Sequence, residues 1–244
     1  MKLLQTFILS LVVLATASFN LSCTREVPQV AGTDANFSNS ATVQVFSATV
    51  KAARNYIYVD GTPVSGTALA YGAIFPGTAY SFKVTAGSHA FLIKDTLPAT
   101  TQTPLTFSQN TDAGKSYTIF TYDTITSIKQ ATVVNNITIP TDTSARLRFA
   151  NYIYNTTVVP NVDVYSYRKG TTTPVFTNVA TAQVTDFIPY SSGLTDTFYV
   201  YATGTTTPLL VKQLVTGLTP TRSYSSVYNG SYKGTKAVTT FATY

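Results

Sequence analysis

From residue 41 onward, apolar positions recur every second residue, in short runs separated by Gly, Pro, Asn and Asp. That period predicts strands, and no segment beyond the N-terminus carries the three-and-four spacing of a helix. In residues 55–60 (NYIYVD), Ile57 and Val59 fall on one face, and Tyr56, Tyr58 and Asp60 on the other. In residues 162–167 (VDVYSY), Val162 and Val164 share a face opposite Asp163, Tyr165 and Tyr167. Tyr199 and Tyr201 likewise oppose Phe198 and Val200. Runs of this length, broken about every 8–12 residues by turn formers, indicate a β-sandwich or barrel.

The pattern repeats. Residues 41–46 (ATVQVF) align with 145–150 (ARLRFA), 55–59 (NYIYV) with 161–165 (NVDVY), and 61–64 (GTPV) with 170–175 (GTTTPV). Residues 100–105 (TTQTPL) match 204–209 (GTTTPL), and 115–118 (KSYT) match 222–225 (RSYS). The offset runs from 104 (Ala145 against Ala41) to 111 (Val175 against Val64), with gaps placed at turns. Self-similarity of this kind indicates two copies of one unit, at 41–140 and 145–244. A unit of about 100 residues suits an immunoglobulin-like sandwich of about seven strands. Residues 135–144 (NNITIPTDTS) form the join, short enough to restrict relative motion of the copies.

The N-terminus reads as an address. Lys2 precedes an apolar stretch at residues 7–19 (FILSLVVLATASF), followed by Asn20-Leu21-Ser22-Cys23. This is the order of a secretory leader, and the stretch is shorter than the roughly 20 residues a spanning helix needs. Cys23 is the only cysteine, and Leu21-Ser22-Cys23 resembles the lipobox of bacterial lipoproteins, whose cysteine is acylated and becomes the mature N-terminus. The expected organisation is a signal peptide (1–22), lipidated Cys23 leading a flexible tether (23–40), and two tandem immunoglobulin-like β-sandwich domains in an all-β body. The expected partner is a membrane, reached through lipid on Cys23. Thr24, in place of an Asp, points to the outer membrane of the cell envelope and leaves the leaflet open.

The repeat unit resembles the domain-of-unknown-function family numbered 4397. The resemblance rests on residues 59–64 (VDGTPV), 145–149 (ARLRF), 160–165 (PNVDVY) and 174–179 (PVFTNV) and extends over nearly all of residues 41–244. It implies an immunoglobulin-like sandwich and an extracytoplasmic setting, and no activity.

Charge and chemistry narrow the function further. The net charge of +6 is scattered, as at Lys51 and Arg54 or Lys233 and Lys236, with no basic stripe of the kind a nucleic-acid binder shows. His89, the only histidine, sits in Ala86-Gly-Ser-His-Ala90 and reads as a surface turn residue. With one histidine and one cysteine, no metal centre or Ser-His-Asp site is expected, and no cofactor motif is present. Carboxylates sit beside turn formers, as in Asp60-Gly61 and Asp142-Thr-Ser144, where side-chain-to-backbone turn bonds explain them. The expectation is therefore not an enzyme but a binding or adhesion module for glycan or an envelope protein. Its candidate surface is Tyr56, Tyr58, Tyr165, Tyr167, Tyr199 and Tyr201. An accessory subunit docking through sheet edges is the alternative, and an unrecognised hydrolase the third reading. Metabolic labelling with a fatty-acid analogue is expected to mark the protein and to be lost in Cys23→Ala; label retained in that variant would contradict lipidation there.

Overall fold

The computed structural model describes residues 37–243, so the expected signal peptide, Cys23 and most of the expected tether lie outside the described residues. The last tether residues are ordered differently from the expectation: Phe37–Asn39 form a single 3-10 turn, and Ser40 already begins the first strand.

The first copy contains β1 (Ser40–Ser47), β2 (Asn55–Val59), β3 (Thr62–Pro63), β4 (Ile74–Phe75), β5 (Phe82–Thr85), β6 (Gly87–Asp95), β7 (Leu105–Thr111), β8 (Ser116–Tyr122) and β9 (Lys129–Val134). The second contains β10 (Ala145–Tyr154), β11 (Val162–Arg168), β12 (Thr171–Val179), β13 (Gln183–Val184), β14 (Ile188–Tyr190), β15 (Asp196–Ala202), β16 (Val211–Val215), β17 (Ser223–Ser231) and β18 (Lys236–Ala242). The sheet orders repeat strand for strand. One sheet of the first copy runs β4-β1-β8-β9 with β5 also on β1, and its counterpart runs β13-β10-β17-β18 with β14 on β10. The other sheets run β3-β2-β6-β7 and β12-β11-β15-β16. Each copy is thus a β-sandwich.

The hairpins entering the second sheet of each copy turn on Asp60-Gly61 and Lys169-Gly170. Both residues of each pair have positive φ, between 47° and 85°, the conformation whose twist matches antiparallel strands. Aligning the copies through these turns sets an offset of 109, matching Tyr56 with Tyr165 and Tyr58 with Tyr167. The sequence pairing of residues 55–59 with 161–165 is therefore out of phase. It would equate Ile57, which is buried in the first core, with Asp163, which points the other way from core residues Val162 and Val164. A slip of one residue exchanges the two faces of a strand.

Three cores separate the four sheets. Val43, Val45, Ile57, Phe91, Ile93 and Ile119 fill the first sandwich. Leu147, Phe149, Val162, Val164, Phe198 and Val200 fill the second. The third lies between the copies: Phe46, Ala48 and Phe120 from the first pack on Ala150, Tyr152, Val227 and Phe241 from the second. Strands β1, β8, β10 and β17 are consequently buried on both faces, and each central pair, β1 with β8 and β10 with β17, is parallel. Parallel strands covered on both sides are the expected association. The sheets stack four deep, and residues 37–243 form one compact unit that contains both sandwiches.

The inter-copy seam is lined by rings from both copies. At an offset of 104, Phe46 of β1 and Ala48 just beyond it correspond to Ala150 and Tyr152 of β10, so the large side chain changes place between the copies. Phe46 stacks on Phe241 at 5.3 Å, and Tyr152 lies 4.9 Å from both Phe120 and Tyr122. Polar links flank the rings. Gln44 Nε2 donates to the Tyr80 carbonyl at 2.6 Å and to the Ala242 carbonyl at 3.3 Å, and Tyr71 donates to Asn229 Oδ1. Gly230 lets Tyr71 come this close: at φ +108, a Cβ there would stand 2.9 Å from the Tyr71 hydroxyl and 2.3 Å from the Thr235 carbonyl.

Candidate functional site

The outermost sheet of the second copy carries the tyrosine cluster. Antiparallel pairing of β11 with β15 sets Tyr165 opposite Tyr199, Asp163 opposite Tyr201 and Tyr167 opposite Thr197. Val164, Phe198 and Val200 face the core between them, so the pleat turns the tyrosines outward, and none of the four rings belongs to the core. Strand twist brings diagonal neighbours together. Tyr167 stacks on Tyr199 at 5.3 Å and 16°, Tyr199 meets Tyr201 edge-on at 6.4 Å, and Tyr201 meets Tyr165 edge-on at 5.8 Å. The four rings form one connected row. Tyr167 is 38% exposed and the other three are half-buried.

Two neighbours complete the face that the sequence reading missed. Register places Lys212 beside Tyr199 and Leu214 beside Thr197 on β16. The Lys212 ammonium sits 5.6 Å from the Tyr199 ring centre, within cation–π range, and Leu214 is 57% exposed. The signal was available: alternation in residues 211–215 (VKQLV) puts Val211 and Val215 inward and Lys212 and Leu214 outward.

The first copy has no such row. Tyr56 lies opposite Lys94 and Tyr58 opposite Leu92, and Lys94 reaches over the Tyr58 ring at 5.1 Å. Lys94 stands where the second copy has Tyr199, so the chain of ring contacts has no middle member. Of the six tyrosines expected to form one surface, the structure joins Tyr165, Tyr167, Tyr199 and Tyr201. It leaves Tyr56 and Tyr58 on the outermost sheet at the far side of the stack.

Two acids brace the ends of the tyrosine sheet. Asp163 accepts hydrogen bonds from the Asn178 amide at 2.7 Å, the Gly204 amide at 3.0 Å and the Thr203 hydroxyl at 3.0 Å. Burial alone would raise its pKa, but these donors hold the carboxyl below its ordinary value. Asp196 accepts from Ser166 Oγ at 2.6 Å, the Thr197 amide at 2.6 Å, Arg168 Nε at 3.0 Å and the Tyr190 hydroxyl. Both carboxylates are committed to the scaffold. Among the described residues, three surface clefts hold one acid each, Asp123, Asp142 and Asp186, so in none of these three do two acids converge as a glycosidase requires.

No protein-family model and no curated protein sequence matches the chain. Among solved structures, a family 26 carbohydrate-binding module from Eubacterium rectale Amy13K, in complex with maltoheptaose, matches with 15% identity and a TM-score of 0.26. The match covers 82% of this chain and 95% of that one. The TIE protein of Bacillus anthracis matches with 13% identity and a TM-score of 0.24, over 78% of this chain and 34% of that one. Scores this low carry no inference about function.

His89 corrects the sequence reading. It lies within β6, not in a surface turn, and is only 8% exposed. Nδ1 is 2.6 Å from Asp60 Oδ2, and Nε2 is 2.7 Å from the Thr85 carbonyl. Asp60 also accepts from the Ala90 amide, which ties the β2–β3 hairpin to β6. Both ring nitrogens face acceptors, an arrangement that favours the doubly protonated imidazolium. The hydrogen bond that His89 donates to Asp60 raises the His89 pKa above 6.5, and the same bond lowers that of Asp60 below 3.8. Stability from the raised histidine is complete below its unfolded value of 6.5 and is lost as pH rises through its folded value. Stability from the lowered aspartate is present above 3.8 and lost as pH falls. The thermal midpoint is expected to decline as pH rises above 6.5, and His89→Gln is expected to flatten that decline. An equal slope in wild type and variant would assign the pH dependence elsewhere.

Proposed function

We propose that this chain is a non-enzymatic, lipid-anchored module of the cell envelope that binds glycan on the tyrosine face of β11, β15 and β16. The observation that carries this reading is the connected row of Tyr167, Tyr199, Tyr201 and Tyr165 outside the core. Aromatic faces take the C–H face of a sugar ring with little side-chain entropy lost, and tyrosine adds a polar edge for hydroxyl groups. The hydroxyls of these four tyrosines make no hydrogen bond to described residues and are free to serve a ligand. Lys212 supplies a donor at the centre of the row, and Leu214 extends its apolar margin. Ring rows held by a continuous sheet are preorganised, which lowers the cost of binding.

The test is affinity electrophoresis against a panel of soluble polysaccharides. Tyr165→Ser with Tyr167→Ser is expected to weaken retention by about tenfold, with the thermal midpoint within about 4 °C of wild type. Tyr56→Ser with Tyr58→Ser is expected to leave retention unchanged. Equal loss from both pairs, or retention indifferent to either, would overturn the reading. Binding of an envelope protein with no polysaccharide retained would reassign the face to a protein partner.

A further inference from the structure

The seam between the copies encloses a positive charge with no carboxylate beside it. Arg148, on the seam face of β10, is 1% exposed. Nε donates to Ser225 Oγ at 2.7 Å, and Nη2 donates to Thr118 Oγ1 of the first copy at 3.0 Å. Two rings flank it: the guanidinium lies 4.7 Å from the centre of Phe187 and 5.8 Å from that of Phe120. Both acceptors are neutral, and the ion pairs among the described residues do not include Arg148. Nη1 has no hydrogen-bond partner, and Nη2 gives only one of its two protons, so the end-on fork that grips a carboxylate is unfilled. Burial lowers the pKa to about 10, which still leaves the group charged at neutral pH.

The surroundings are built differently from the matching position in the first copy. There Gln44 replaces Arg148, and its amide nitrogen donates to carbonyls at Tyr80, Gly77 and Ala242. The β4–β5 loop that provides two of them spans residues 76–81, whereas its counterpart between β13 and β14 spans only 185–187. Where the shorter loop withdraws, a cleft of about 460 Å³ opens, lined by Arg148, Thr132, Asn136, Thr185, Asp186 and Phe187, among others. A charge without a counter-ion and a cleft against it therefore occur together on one side of the seam only. The titratable groups near it are Tyr152, whose phenol bears on the guanidinium, and Asp186, an exposed acid on the cleft wall more than 4.0 Å from any guanidinium nitrogen.

We propose that this cleft is a second binding site, for a small molecule bearing a carboxylate that pairs with Arg148. The carboxylate takes the free Nη1–Nη2 fork, and hydroxyls of Thr132 and Thr185 and the amide of Asn136 line the space for the rest of the ligand. Leaving a buried cation unpaired is costly, so a ligand that supplies its counter-charge stabilises the folded chain. The site is separate from the tyrosine face and does not depend on what binds there.

The experiment is the thermal midpoint of the protein at pH 7 and constant ionic strength, with chloride replaced by acetate or by glucuronate, and with glucose as the neutral control. A saturable rise of about 3 °C is expected with a carboxylate and none with glucose. Acetate alone raising the midpoint would identify a free compact carboxylate as sufficient; glucuronate alone would identify a carboxylated sugar. Arg148→Gln keeps donors for Ser225 and Thr118 and is expected to abolish the response. Asn136→Asp places a carboxylate in the cleft, and is expected to raise the midpoint and blunt the response even if Arg148→Gln folds poorly. Asp186→Asn, which removes a repelling charge, is expected to retain or sharpen the response. No carboxylate response in wild type, the same response in Asn136→Asp, or a response lost in Asp186→Asn because Asp186 is itself the counter-ion, would each overturn the site.

Discussion

Everything else in this fold depends on the burial of β1, β8, β10 and β17 on both faces. In an ordinary sandwich the outer face of each sheet is solvated, and polar residues alternate with apolar ones to suit. Here the outward positions of the two inner sheets are Phe46, Phe120, Ala150, Tyr152 and Val227, packed into a core of their own. Burying that surface makes the two copies one folding body and leaves only the β2 and β11 sheets with a free face. Any surface for a partner on a sheet face must therefore lie there, and the connected tyrosine row does.

The seam also accounts for how the copies differ. The large side chain sits two residues further along in the second copy, at Tyr152 rather than at the position matching Phe46, and the seam rings stack on one another, Phe46 on Phe241 and Tyr152 on Phe120. Polar positions diverged in parallel. The Gln44 amide nitrogen donates to carbonyls of a long loop, whereas Arg148 spans to Thr118 beneath a short one. The asymmetry that opens the cleft arises from the same divergence.

Alternation along single strands was legible in the sequence, and so were the all-β class, the duplication and the outward direction of every tyrosine named. Periodicity gives the sides of a strand but not what each side meets. Gln44, Phe46 and Ala48 could not be recognised as interface residues, because their partners in β10, β17 and β18 are distant in sequence. The same limit explains His89: its apparent turn context, Ala86-Gly-Ser, is the start of β6, and its partner Asp60 lies in another hairpin. It also explains why Tyr56 and Tyr58 resembled Tyr165 and Tyr167. The residue that breaks the row, Lys94, is on a neighbouring strand whose register the sequence does not state.

Hydrogen exchange of backbone amides in β6 and β15, compared between wild type and Tyr152→Ala, tests the shared core most directly. The two strands belong to different copies and lie in the two outermost sheets, away from the substitution. The account predicts one opening free energy for both strands, falling together by about 3–5 kcal/mol when the ring is removed. Loss of protection in β15 alone, with β6 unchanged, would show two independent domains that merely touch.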